Sequence, residues 1–84
     1  GNHYHRRKLE RFLVVQGEAL IRIRRLLTGE IFEFPVSGER PVYVDMPVLH
    51  THNITNTGTS DLMTLFWTQE IFDPADPDTY TEAV

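Results

Sequence analysis

Glu18-Ala19-Leu20-Ile21-Arg22-Ile23-Arg24 decides the fold class. Ala19, Ile21 and Ile23 alternate with Leu20, Arg22 and Arg24, and a period of two puts the first set on one face of an extended chain and the second on the other. The pattern predicts a half-buried strand. Upstream, Phe12-Leu13-Val14-Val15 is a short apolar run closed by Gln16-Gly17, so a buried strand joined to the next by a hairpin is the simplest reading. Downstream, Glu30 to Val36 alternates again, with Phe32 and Phe34 facing opposite to Ile31 and Glu33, and Ser37-Gly38 supplies a turn.

Further strands are expected at Pro41 to Val44, around His50, His52 and Ile54, and at Leu62 to Trp67 after the Asn56-Thr57-Gly58 turn, six or seven in all. Gly17, Gly29, Pro35, Gly38, Pro41, Pro47 and Gly58 interrupt every window long enough for a helix. The class is all-β, a single domain over residues 1–84. Barrel strands are expected over 1–71 and an irregular surface tail over 72–84, where prolines 74 and 77 cannot donate to a ladder.

An 84-residue chain buries a thin core. The absence of cysteine removes disulfides, thiolate ligands and thiol nucleophiles, so a bound metal must be held by His and carboxylate. A net charge of −4, with Arg6, Arg7, Lys8 and Arg11 as the one dense cationic patch, argues against a nucleic-acid footprint. No apolar run reaches the roughly 20 residues of a membrane-spanning helix. Gly1 is not a start methionine and a candidate ligand already stands at position 3, so the chain reads as a fragment truncated at its N-terminus. So many short strands leave unpaired edges, and a partner chain that covers them makes a homodimer the physical expectation.

His3 and His5 stand two apart on an extended segment and so share a face, a spacing suited to two ligands of one metal ion, although an exposed terminus carries such pairs without function. Glu10 precedes the apolar strand, and His52 lies on a distant one that a closed sheet can bring alongside. The joint string is His3-x-His5, four residues, Glu10, six residues, Gly17, then Pro47, Leu49, His52 and Asn56. It resembles the two motifs of the cupin superfamily, of small jelly-roll-like β-barrels. The resemblance implies that His3, His5, Glu10 and His52 bind the metal and that Gly17 and Asn56 form turns. Two positions depart: Leu49 and Pro41 stand where the second motif carries glycine, so the turn at Leu49 must be built differently or carry strain.

A closer resemblance runs through Gly1-Asn2-His3-Tyr4-His5, Glu10 to Val15, Val36-Ser37-Gly38, Thr51-His52-Asn53-Ile54 and Phe72-Asp73-Pro74 to Tyr80. These segments are similar to the C-terminal cupin domain of the CapF family of capsular polysaccharide biosynthesis enzymes. That likeness implies a cytoplasmic sugar-nucleotide epimerase domain, with a reductase domain upstream in the same polypeptide. Its reaction would be zinc-dependent epimerisation at C3 of a UDP-linked 4-keto-6-deoxy-N-acetylhexosamine; the excised fragment itself can be inactive. The same donor set holds Fe2+, Mn2+ or Ni2+ in other cupins. The rival functions are therefore a metal-dependent oxygenase and a non-catalytic, metal-braced sugar-binding or dimerisation module.

His50 shares a strand face with His52 and is the candidate catalytic base, with a hydrogen-bonded structural role as the bland alternative. Lys8, Tyr4 and Tyr43 are weaker candidates, and Arg6, Arg7 and Arg11 would meet a diphosphate if their loop faced the barrel mouth. Phe12, Phe66 and Trp67 read most simply as core.

Overall fold

The computed structural model describes residues 1–84 and contains strands and turns without a helix. Eight strands follow in order: β1 (His3–Tyr4), β2 (Glu10–Gln16), β3 (Glu18–Arg25), β4 (Ile31–Ser37), β5 (Tyr43–Met46), β6 (His50–Asn56), β7 (Met63–Thr68) and β8 (Tyr80–Thr81). One antiparallel sheet has the order β4-β3-β6-β1-β8 and the other β5-β2-β7. The all-β expectation holds, as does the alternation that founded it: Ala19, Ile21 and Ile23 are buried.

Those three residues form the core with Val14, Val36, Val44 and Met46, and Phe12, Ile54 and Leu62 pack against it. In β2, Glu10, Phe12 and Val14 share the inward face, and the register sets Val44 opposite Phe12 and Met46 opposite Glu10. The core is thus the seam between the two sheets. Pro35, which cannot donate to a ladder, sits in β4 at the edge of its sheet, where a missing donor does least harm.

Four details differ from expectation. β2 and β3 are not a hairpin: β2 pairs with β5 and β7, while β3 pairs with β4 and β6. A single residue, Gly17, carries the chain from one sheet to the other at φ 88°, and a Cβ there would lie 2.8 Å from the Asp61 carbonyl oxygen. The true hairpin is β3–β4, closed by Arg25 N–H donating to Glu30 O and Gly29 N–H to Arg25 O. β5 starts at Tyr43 rather than Pro41. The segment expected as a surface tail also contributes a strand, with β8 pairing Tyr80 to Tyr4 and Thr81 to His3.

Leu49 adopts φ 58°, the left-handed region that its motif position fills with glycine. Two backbone hydrogen bonds hold it there, Leu49 N–H to His5 O at 2.7 Å and Leu26 N–H to Leu49 O at 3.1 Å. The first ties the turn before His52 to the segment that carries His5. Leu49→Ile keeps the side-chain volume but adds β-branching at positive φ. It is expected to lower stability by on the order of 1 kcal/mol, read as a shift of the urea midpoint at unchanged slope.

Candidate metal centre

Four of the sequence-designated residues converge at one end of the seam. His3 on β1 and His52 on β6 are paired neighbours in the larger sheet, Glu10 opens β2 in the facing sheet, and His5 lies in the connection between β1 and β2. One donor atom from each falls within 4.8 Å of the other three. The imidazole centroids are 5.1 Å apart for His3 and His5, 4.8 Å for His3 and His52, and 5.6 Å for His5 and His52. His5, Glu10 and His52 are buried, and His3 is half-buried.

Backbone carbonyls set the tautomers. His5 Nδ1 donates to Asp78 O at 2.6 Å, and His52 Nδ1 donates more weakly to His50 O at 3.3 Å. In its neutral form each ring then turns its Nε2 lone pair inward. Both Nε2 atoms are buried without a hydrogen bond from any donor. His5 Nε2 lies 2.5 Å from Glu10 Oε1, a close contact that lacks the alignment of a hydrogen bond, and His52 Nε2 lies 3.9 Å from Glu10 Oε2. Buried lone pairs without partners are costly, and here they aim at one another and at a carboxylate.

Protonation of His52 and His3 is disfavoured. Burial, then the neighbouring charges of His3 and His5, push His52 down from 6.5 to about 4, against the smaller opposing effect of its bond to the His50 carbonyl. Burial likewise lowers His3. Neutral imidazoles and a carboxylate are the donor set that a divalent cation takes, with bonds of about 2.0–2.2 Å for zinc. The residues present fit a metal ion. Three neutral rings and one carboxylate leave a divalent ion with a net +1 charge and room for a further ligand.

Asp78 was missed by the sequence reading and organises the loop between His5 and Glu10. Its carboxylate accepts from the amides of Arg6 at 3.0 Å, Arg7 at 2.9 Å and Lys8 at 3.0 Å. Desolvation pushes this carboxyl up, but the three amides and the Arg7 charge outweigh it and bring the pKa down to about 2. Asp78 has φ 51°, which Asp tolerates better than most residues. Only the turn-like Asp-Pro-Asp-Thr composition of residues 76–79 hinted at such a bend.

A cleft of about 450 Å³ opens beside the cluster, lined by His3, Lys8, Glu10, Thr79 and the aromatics Phe66, Trp67 and Phe72, among others. Phe66 and Trp67, expected in the core, are 63% and 44% exposed. Phe66 stacks on Phe12 at 5.5 Å, whereas Trp67 meets Tyr43 edge-on at 5.7 Å on the outer face of the small sheet. β7 is the edge strand of that sheet, so little covers either ring. Phe12 is half-buried against the core, as expected.

His50 stands on the same face of β6 as His52 but outside the four-residue cluster and away from the cleft lining. Its Nδ1 donates to Val48 O at 2.8 Å, which leaves Nε2 free. Arg7 and Arg11 are engaged on the surface, Arg7 with Glu70 and Asp76 and Arg11 with Asp45. Tyr4 stacks on Tyr80 at 5.3 Å.

Comparison with known proteins agrees with this architecture. Over its full length the chain is 50% identical to the capsular polysaccharide assembling protein CapF from Staphylococcus aureus, with a TM-score of 0.97 and 24% of that chain covered. A structure of CapF with the inhibitor 3-isopropenyl-tropolone matches at 50% identity and a TM-score of 0.95, with 25% of that chain covered. A UDP-2-acetamido-2,6-beta-L-arabino-hexul-4-ose reductase from Pseudomonas aeruginosa strain PA103 is 43% identical over all 84 residues, which are 23% of its length. The chain thus spans about a quarter of each relative, and its all-β fold is that of the CapF cupin-like domain. Residues 1–80 match the sequence model of the polysaccharide biosynthesis C-terminal domain, and the chain belongs to that family.

Proposed function

We propose that this chain is a metal-dependent epimerase domain acting at C3 of a UDP-linked 4-keto-6-deoxy-N-acetylhexosamine, the cupin half of a bifunctional epimerase-reductase. The observation that carries the reading is the pair of buried, unpartnered Nε2 atoms of His5 and His52 facing Glu10. Similarity to an enzyme of the same sugar-nucleotide class and to CapF supports the substrate. A cytoplasmic location, an upstream reductase unit and a homodimer belong to the same proposal. Tyr43, Leu65 and Trp67 form an exposed apolar patch that supports a covering partner.

A hydrogen on the carbon next to a ketone is weakly acidic. A divalent ion held by His3, His5, Glu10 and His52, zinc by preference, supplies positive charge and an open position for an oxygen ligand. The chain's own residues do the rest. Phe66 and Phe72 offer apolar faces on which a sugar ring packs. His50, with Nδ1 committed to Val48 O and Nε2 free, is the proposed base that takes the C3 proton from one face, and water in the open cleft returns a proton to the other face. No net oxidation occurs, and the nucleotide stays attached throughout.

Exchange of the substrate C3 proton for deuterium tests this reading, followed by NMR in deuterated water on the polypeptide that contains this domain. Metal-loaded protein is expected to catalyse exchange without oxygen uptake. His50→Asn is expected to slow it about 10²–10⁴-fold while metal content stays the same. Oxygen consumption coupled to substrate loss would favour the oxygenase alternative. Binding without exchange would leave a sugar-binding module braced by its metal.

A further inference from the structure

The geometry points to Lys8 as a binding group of the cleft, a cation placed beside the metal ligands to donate hydrogen bonds to an oxyanion of the bound ligand. The inference deepens the epimerase reading and rests on it for the identity of the ligand, an enolate-type oxygen formed next to a sugar ketone.

Lys8 is only 7% exposed and lines the same cleft as His3 and Glu10. The aliphatic stem is covered while Nζ reaches the open cleft, where it forms no ion pair with Asp or Glu and lies 5.6 Å from the ring centroid of Phe72. Arg7, two residues from His5 in the same loop, is by contrast matched to Glu70 and Asp76. The absence of a partner at Lys8 is thus local rather than a shortage of carboxylates.

Its placement is also fixed. The Lys8 amide donates to the Asp78 carboxylate, as do the two amides before it, so the backbone that bears the side chain is anchored to the clamp that positions His5. The ammonium is a donor of three hydrogen bonds and accepts none. A preorganised donor in a half-dry cleft favours an oxygen that gains negative charge more than it favours a neutral carbonyl, which is how a binding group contributes to rate. The Phe72 ring faces the cation without supplying a lone pair, so N–H groups of the ammonium remain for a ligand.

Because Nζ reaches the open cleft while the stem stays covered, Lys8→Met is expected to unfold within a few degrees of wild type with unchanged metal content. A merely structural Lys8 would instead give a clear fall in unfolding temperature. The binding test uses oxalate, a small dianion with the oxygen spacing of an enediolate, titrated calorimetrically into the zinc-loaded, full-length protein. Lys8→Met is expected to weaken oxalate about 10-fold or more, and Lys8→Arg to recover part of the loss. For C3 exchange, Lys8→Met is expected to lower kcat about 10²–10³-fold, with a smaller change in KM. Oxalate binding that is equal in wild type and Lys8→Met, or absent from both, overturns the inference. Lys8-dependent oxalate binding in a protein that shows no exchange at all would instead overturn the epimerase reading and leave the oxyanion site standing.

Discussion

Replacing His52 by alanine is expected to reduce bound zinc from about one ion per chain to less than about a tenth after dialysis. His52 reaches the cluster from the centre of the larger sheet, where β6 lies between β1 and β3, so no neighbouring side chain can substitute for its Nε2. Losing one of four ligands at even a 100-fold cost in affinity removes about 2.7 kcal/mol of ligand-linked stabilisation. In a domain of this size that corresponds to a fall in Tm on the order of 10 °C. The mechanism makes a second demand. Excess chelator should lower the wild-type Tm by a similar amount and leave His52→Ala nearly unmoved, because the variant has no metal left to lose. A large fall in the variant that persists in chelator would mean that His52 matters to packing and not to an ion.

Asp78→Ala is expected to be the most damaging change outside the four ligands. It strands the three amides of Arg6, Arg7 and Lys8 and places alanine at φ 51°, where Asp is better tolerated. Hydrogen bonds to a charged acceptor contribute about 1.5–3 kcal/mol each, but amides near the surface recover part of this from water, so about 3 kcal/mol in total is expected. The loop it releases is the one that sets His5 against the Asp78 carbonyl. Metal affinity should therefore fall about 10–100-fold, as for other outer partners of a ligating histidine. Asp78→Asn keeps an oxygen acceptor and tolerates the backbone angle, so it should lose clearly less in both measurements. Equal losses for Ala and Asn would place the effect in the charge alone.

The parts of this molecule that were legible in the sequence are those governed by local rules. The alternation at Glu18 to Arg24 reports its own burial, because side-chain direction in a strand needs no knowledge of the partner strand. That His3, His5, Glu10 and His52 come together was legible for a different reason: their residue types and spacings form a pattern whose members signify little alone. Pairing is not local. The turn at Gly17 reads as a hairpin, yet the same residue bridges two sheets, a choice made by β5, β6 and β7 far along the chain. Asp78 illustrates the limit most clearly, since an aspartate between proline and threonine looks like a surface turn. Its role arises from three amides some seventy residues away. Phe66 and Trp67 were misread because hydrophobicity signals a wish for cover, and an edge strand over an open cleft supplies little of it. The strain at Leu49 was foreseeable from the missing glycine, and the φ of 58° bears it out.

X-ray absorption at the zinc edge, on protein loaded with zinc and dialysed, tests the metal centre most directly. The account predicts one tightly held ion per chain, with light-atom ligands near 2.0–2.1 Å and the multiple-scattering signature of three imidazoles, and a zinc edge that falls to near background in dialysed His52→Ala. A wild-type chain that retains no ion above background, or a spectrum without imidazole scattering, would contradict the assignment of His3, His5, Glu10 and His52 as the ligands.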